Sequence, residues 1–250
     1  MIESINLYDH VCTQNLVNIC KPLINQGYYL DHDGKLKAVS RVATDMPWVF
    51  ERQDDSRRCN LWHGVFFNVF GWLPSPCLEC WKVVVRPKSL KDLFELREIQ
   101  RDMELSSKCG IEVRDSVHGL YGGYWYCDSL EHGKQVYSAV YLEVQGRLEA
   151  GTPVMLKRGC TEFELKYGDS KDWEQHMKPE QIVMEKKLSC FIDTKERIEQ
   201  PDVVKEGIYK RWIEFAYANG DPTYKYFTGD KPLYTPYRTY HEEIENGKAD

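Results

Sequence analysis

Between Trp81 and Cys160 the apolar residues alternate between a two-residue and a 3.6-residue period, and that alternation constrains the chain more than any other feature. Lys82-Val83-Val84-Val85-Arg86 is a β-branched run closed by Pro87, as a buried strand requires. Ser89 then precedes a stretch with Leu90, Leu93, Phe94 and Ile99 on one face and Asp92 in the first turn, which predicts a helix to about Glu104. Cys109 to Arg114 and Leu120 to Cys127 read as two further strands. Asp128, with Glu131 three residues on, resembles a capping box and opens a second helix through Leu130, Tyr137, Val140, Tyr141, Val144 and Leu148, ended by Gly151 and Pro153. Val154-Met155-Leu156-Lys157 closes the series. The order strand, helix, strand, strand, helix, strand predicts an α+β fold with a central ferredoxin-like (βαββαβ) antiparallel sheet, two helices on one face and the other face free.

The flanks are expected to support this unit within one compact body, divided at about 1–80, 81–160 and 161–250. Ile5 to Gln26 has helical spacing and carries Cys12 and Cys20, and Tyr28–Leu30 and Leu36–Val39 bracket Asp33-Gly34 as a hairpin. In the last third, Phe163 to Tyr167 reads as a strand and Asp202 to Ala218 as a helix stopped by Asn219-Gly220. Asp221 to Tyr240, rich in tyrosine and holding three prolines, reads as an aromatic extension lying along the body.

The 250 residues are 42% hydrophobic and 29% charged, which excludes a disordered chain. No run nears the ~18 apolar residues of a spanning helix, and Met1 to Asn6 lacks the basic start of a leader, so a cytoplasmic protein is expected. A net charge of -6 argues against holding duplex nucleic acid by global charge. Only residues 81–160, with 12 basic and 11 acidic side chains, are not acidic.

Nine cysteines are too few for a disulfide framework, so their clustering matters instead. Cys59-x3-His63-x13-Cys77-x2-Cys80 offers two close ligand pairs joined by a loop, as a tetrahedral zinc site needs. Cys109, at the start of the second strand, can replace His63. The set Cys59, Cys77, Cys80 and Cys109 would suit zinc or an iron-sulfur cluster. Cys77-Leu78-Glu79-Cys80 is also a dithiol, but it precedes a strand, whereas a thioredoxin-like motif opens a helix.

In the third strand Tyr124 and Tyr126 share one face. On an uncovered sheet they would stack single-stranded bases, with Arg86, Lys88 and Arg114 near for phosphates. This layout resembles that of RNA-recognition modules across about a third of the chain, although Trp125 stands where those modules prefer a small residue. The expectation is a non-enzymatic, metal-stabilised binding protein for single-stranded nucleic acid or a nucleoprotein assembly. One alternative is an enzyme using Cys77, Cys80, Cys109 or Cys160, with Glu162 and Glu164 as acid and base on one strand face. Another is a phage or mobile-element interaction factor whose acidic surface meets a basic protein. No phosphate-binding loop, dinucleotide fingerprint or His-Glu-x-x-His is present.

Overall fold

The computed structural model describes residues 28–30, 32, 36–38, 46–52, 62–68, 70–189, 200–231 and 233. The fold is mixed α+β. β1 (Tyr28–Leu30) and β2 (Leu36–Ala38) form the expected antiparallel hairpin, with Tyr28 opposite Ala38. The main sheet contains β3 (Trp48–Arg52), β4 (Trp81–Val85), β5 (Ser107–Ile111), β6 (Tyr121–Cys127) and β7 (Val154–Arg158). All of its pairs are antiparallel, in the order β3-β5-β6-β4-β7. The expected sheet of four strands thus has a fifth. β3 joins at the edge, Val49 opposite Cys109, with Val49 fully buried on the helix side and Trp48 and Phe50 half-buried on the other. Its outer backbone is closed by the Gln200 amide, which accepts from Phe50 N and donates to Trp48 O, both at 3.1 Å.

α1 (Leu90–Met103) and α2 (Leu130–Arg147) cover one face of the sheet. Ser89 caps α1 by accepting from Asp92 N, and Leu90, Leu93, Leu96 and Ile99 are fully buried in one core with Val83, Val85, Cys109, Tyr121 and Trp125. Each such side chain contributes roughly 1.5–3 kcal/mol by leaving water. Gly123 sets how closely α1 approaches, because a Cβ there would lie 2.3 Å from Leu96 Cδ2. At α2 the cap is Ser129, accepting from His132 N at 3.2 Å. The expected cap, Asp128, instead pairs with the His132 ring at 3.0 Å.

Past β7 the chain departs from expectation. Phe163 to Tyr167 is helical, within α3 (Thr161–Tyr167), and α4 (Pro179–Ser189) follows. Phe163 and Tyr167 sit one helical turn apart and both meet Phe67, at ring distances of 4.9 and 6.4 Å, which a strand would not allow. These rings belong to a second core containing Trp62, Phe66, Leu73, Cys77, Phe163 and Trp173. α4 seals it: Gln181 donates to Leu73 O, and Glu185 accepts from Ser75 N at 3.0 Å.

α5 (Asp202–Ala218) matches its expected bounds and adds Ile208 and Trp212 to the first core, with Trp212 Nε1 donating to Pro47 O at 2.9 Å. Where an extended run was expected after Asp221, the described part coils into a short turn at Pro222–Tyr224 and α6 (Lys225–Thr228), and the Phe227 ring packs at a tilt against Phe94, 4.2 Å between centroids. The helix expected at Ile5 to Gln26, with Cys12 and Cys20, lies outside the described residues, as does most of the aromatic extension.

Candidate functional site

The sheet register decides what faces away from α1 and α2. One row across the strands runs Phe50, Lys108, Tyr124, Val84, Met155, and the next runs Tyr126, Lys82, Lys157. Trp48 lies on the same side, opposite Gly110. This face carries cations among its rings, where the helix-covered face is an apolar core of aliphatic and aromatic side chains.

Its β3 corner centres on Lys108. The ammonium lies 4.7 Å from the Trp48 ring centroid and 5.7 Å from those of Phe50 and Tyr124, and Trp48 meets Tyr124 edge-on at 5.5 Å. Trp48, Phe50, Lys108 and Tyr126 are each half-buried. Tyr124 is only 7% exposed, so it is framework and not a stacking surface. Its hydroxyl donates to Glu112 Oε2 at 3.0 Å and accepts from Arg86 Nη1 at 3.0 Å.

Glu112 is the hub of that framework. Its side chain is buried, and Arg114 holds it in a fork, Nε to Oε1 at 2.8 Å and Nη2 to Oε2 at 2.7 Å. Burial alone would raise the carboxyl, but the Arg114 hydrogen bonds and charge, with the Tyr124 hydroxyl, hold it below the ordinary range. Of the expected nucleic-acid contacts, Arg86, Arg114 and Tyr124 therefore come together around Glu112. Tyr126 lies under the Lys82 ammonium, 5.5 Å from its ring centroid. Lys88 stands apart, donating to Glu149 Oε1 at 3.1 Å and Ala150 O at 2.8 Å in the loop before β7.

The opposite corner carries the thiols. Cys59 lies outside the described residues. His63 is in the single wide helical turn Trp62–Phe67, Cys77 ends the turn Ser75–Cys77, and Cys80 precedes β4. Burial, reinforced by the Cys160 and Cys80 thiols, pushes the Cys77 thiol well above its ordinary range. Cys109 lies in the other core, under the helices, where burial likewise raises it strongly, so the structure does not bring it to Cys77. Instead Cys160 and Glu162 join His63, with one ligand atom of each within 4.8 Å of the others.

Glu162 and Glu164, expected side by side on a strand face, are on α3 and separate: Glu162 takes Arg114, and Glu164 takes Lys157. Sequence reasoning missed Trp48, Phe50 and Lys108; the aromatic and β-branched run Trp48-Val49-Phe50 was the available sign of a strand, and its two faces separate only in burial. It also missed the meeting of Cys160 with His63, which spacing rules do not reach because they compare near neighbours.

No family model matches the chain, and comparison with curated proteins and with solved structures also gives no match. Among the described residues no helix is long and apolar enough to cross a membrane.

Proposed function

We propose that the protein is a non-enzymatic binding protein that takes single-stranded nucleic acid on the sheet face turned away from α1 and α2. The observation that carries this reading is Lys108 set among the Trp48, Phe50 and Tyr124 rings, with Arg86 and Arg114 beside them. Bases stack on half-buried aromatic rings in any sequence, while cations between the rings meet phosphates. Among β5, β6, β4 and β7 the spatial order and the two helices on one face support a ferredoxin-like unit; on the face away from the helices Lys82, Val84 and Tyr124 are buried, and Trp48, Phe50, Lys108 and Tyr126 are the half-buried side chains left to a ligand. The surface is redrawn from the one expected: Trp48, Phe50, Lys108 and Tyr126 make contact, Arg86 and Arg114 supply charge, and Tyr124 holds them in place. A local patch of this kind operates despite the overall charge of -6.

The test is fluorescence anisotropy with labelled oligothymidine and oligouridine. Binding should weaken by about 5-fold or more in Trp48→Ala and in Lys108→Glu, the loss expected for one stacked base or phosphate contact, while Lys88→Glu stays near wild type. The slope of log affinity against log salt should be shallow, because few phosphates are met. No binding by the wild type, or equal binding by Trp48→Ala with an unchanged circular dichroism spectrum, would overturn the reading.

A further inference from the structure

The corner opposite Trp48 carries an inference that does not rest on nucleic-acid binding, although Arg114 touches both sites. Its donors are an imidazole, a thiol and a carboxylate, from His63, Cys160 and Glu162, all half-buried and within 4.8 Å of one another. They come from distant segments. The turn Trp62–Phe67 presents His63, which packs between Phe67 at 5.1 Å and Phe163 at 5.5 Å, and the β7–α3 junction presents the other two. Gly159 fixes that junction: its φ is +60°, and a Cβ there would lie 2.6 Å from the Trp173 ring.

Two cationic side chains already hydrogen-bond two of these donors. Lys82 Nζ donates to Cys160 Sγ at 2.9 Å, and Arg114 Nη1 donates to Glu162 Oε1 at 2.9 Å. Each of these hydrogen bonds occupies a donor that a divalent ion would use. We infer that His63, Cys160 and Glu162 form a binding site for a zinc-class divalent ion, and that loading displaces Lys82 and Arg114 from their donors.

Imidazole with thiolate selects zinc or cobalt over magnesium and calcium, which prefer all-oxygen shells. Tetrahedral zinc sets its donors about 3.4–3.8 Å apart, so the observed spacing closes by small side-chain movements. Three protein ligands leave a fourth position for water or an incoming donor. The set differs from the one read in the sequence. His63 is common to both, Cys160 and Glu162 are new, and Cys77 lies outside this close trio although it feels the Cys160 thiol.

The experiment titrates Co(II) into the full chain after chelator dialysis, reading thiolate charge-transfer absorbance and reversal by Zn(II). One equivalent should bind. Cys160→Ser should abolish the charge-transfer band, and His63→Ala should weaken binding by more than about 100-fold, since even outer hydrogen-bond partners of a metal site are worth about 10–100-fold. Cys77→Ser should keep the band. Absence of a band in the wild type, or a band kept in Cys160→Ser and lost in Cys77→Ser, would overturn the site. Should Cys160→Ser fail to fold, Glu162→Gln serves instead: the band should persist with Co(II) affinity lowered about tenfold, and unchanged affinity would overturn the ligand set. Oligonucleotide anisotropy in the same variants separates the two proposals, because Trp48→Ala should bind Co(II) normally.

Discussion

The two faces of the main sheet obey different physics. Beneath α1, α2 and α5 the contacts are volume against volume, Leu93, Leu96 and Ile99 on Val83, Val85 and Trp125, all fully buried. On the other face Lys82, Arg86, Lys108, Glu112 and Tyr124 are held by charge, hydrogen bonds and ring contacts. The first face is stabilised chiefly by leaving water. The second offsets the cost of taking ions out of water only while each keeps its partner. A chain built this way holds one side of its sheet by apolar packing and the other by a polar network.

The sharpest way to break the contrast is Trp125→Ala. It should cost about 3–5 kcal/mol in urea unfolding, the range for a fully buried tryptophan, and a loss under about 1 kcal/mol would mean that the helix side is not the main core. Next, Gly123→Val should cost about 1–3 kcal/mol by driving a branched side chain into Leu96, read as a lower urea midpoint with unchanged slope.

Glu112→Gln probes the other face, with an expected cost of about 1–2 kcal/mol at pH 7, discounted because Arg114 is 36% exposed. Its sign with pH is defined. The folded carboxyl titrates below the unfolded value of about 4.3, so its contribution is complete above that value and is lost as pH falls through the folded one. The variant should therefore lose less stability than wild type between about pH 5 and pH 3. Parallel pH profiles would show that the charge network does not discriminate the two faces. Smallest of all, Lys88→Ala should move stability by no more than about 0.5 kcal/mol, because Lys88 and Glu149 are both solvent-exposed.

The same contrast governs what could be read in the sequence. The helix side was legible because burial writes a period: Leu90, Leu93 and Ile99 mark one face of α1, and Val83-Val84-Val85 marks β4. The polar side is assembled across the chain from residues whose types say little alone. Cys160 reads as one more thiol until β7 and α3 carry it to His63. Phe163-Glu164-Leu165-Lys166-Tyr167 alternates like a strand yet repeats at four residues like a helix, and the sequence holds no sign that Phe67 will select the helix. Tyr124 and Tyr126 share one face, but Tyr124 alone is bound to Glu112, twelve residues away by chain and adjacent only after β5 and β6 pair.

Asp221 has a consequence for the order in which the protein is made. Its carboxylate accepts from Leu90 N and from the Tyr121 hydroxyl, each at 2.6 Å, and from Thr223 N at 2.9 Å. One of the open donors at the start of α1 is thus satisfied by a group that leaves the ribosome 131 residues later. α1 and β6 can pair early in synthesis, but the buried Tyr121 hydroxyl waits for its acceptor until the chain beyond α5 is out. The segment after α5 is therefore a latch on the core built before it, and the nascent protein stays unlatched until Asp221 has left the ribosome.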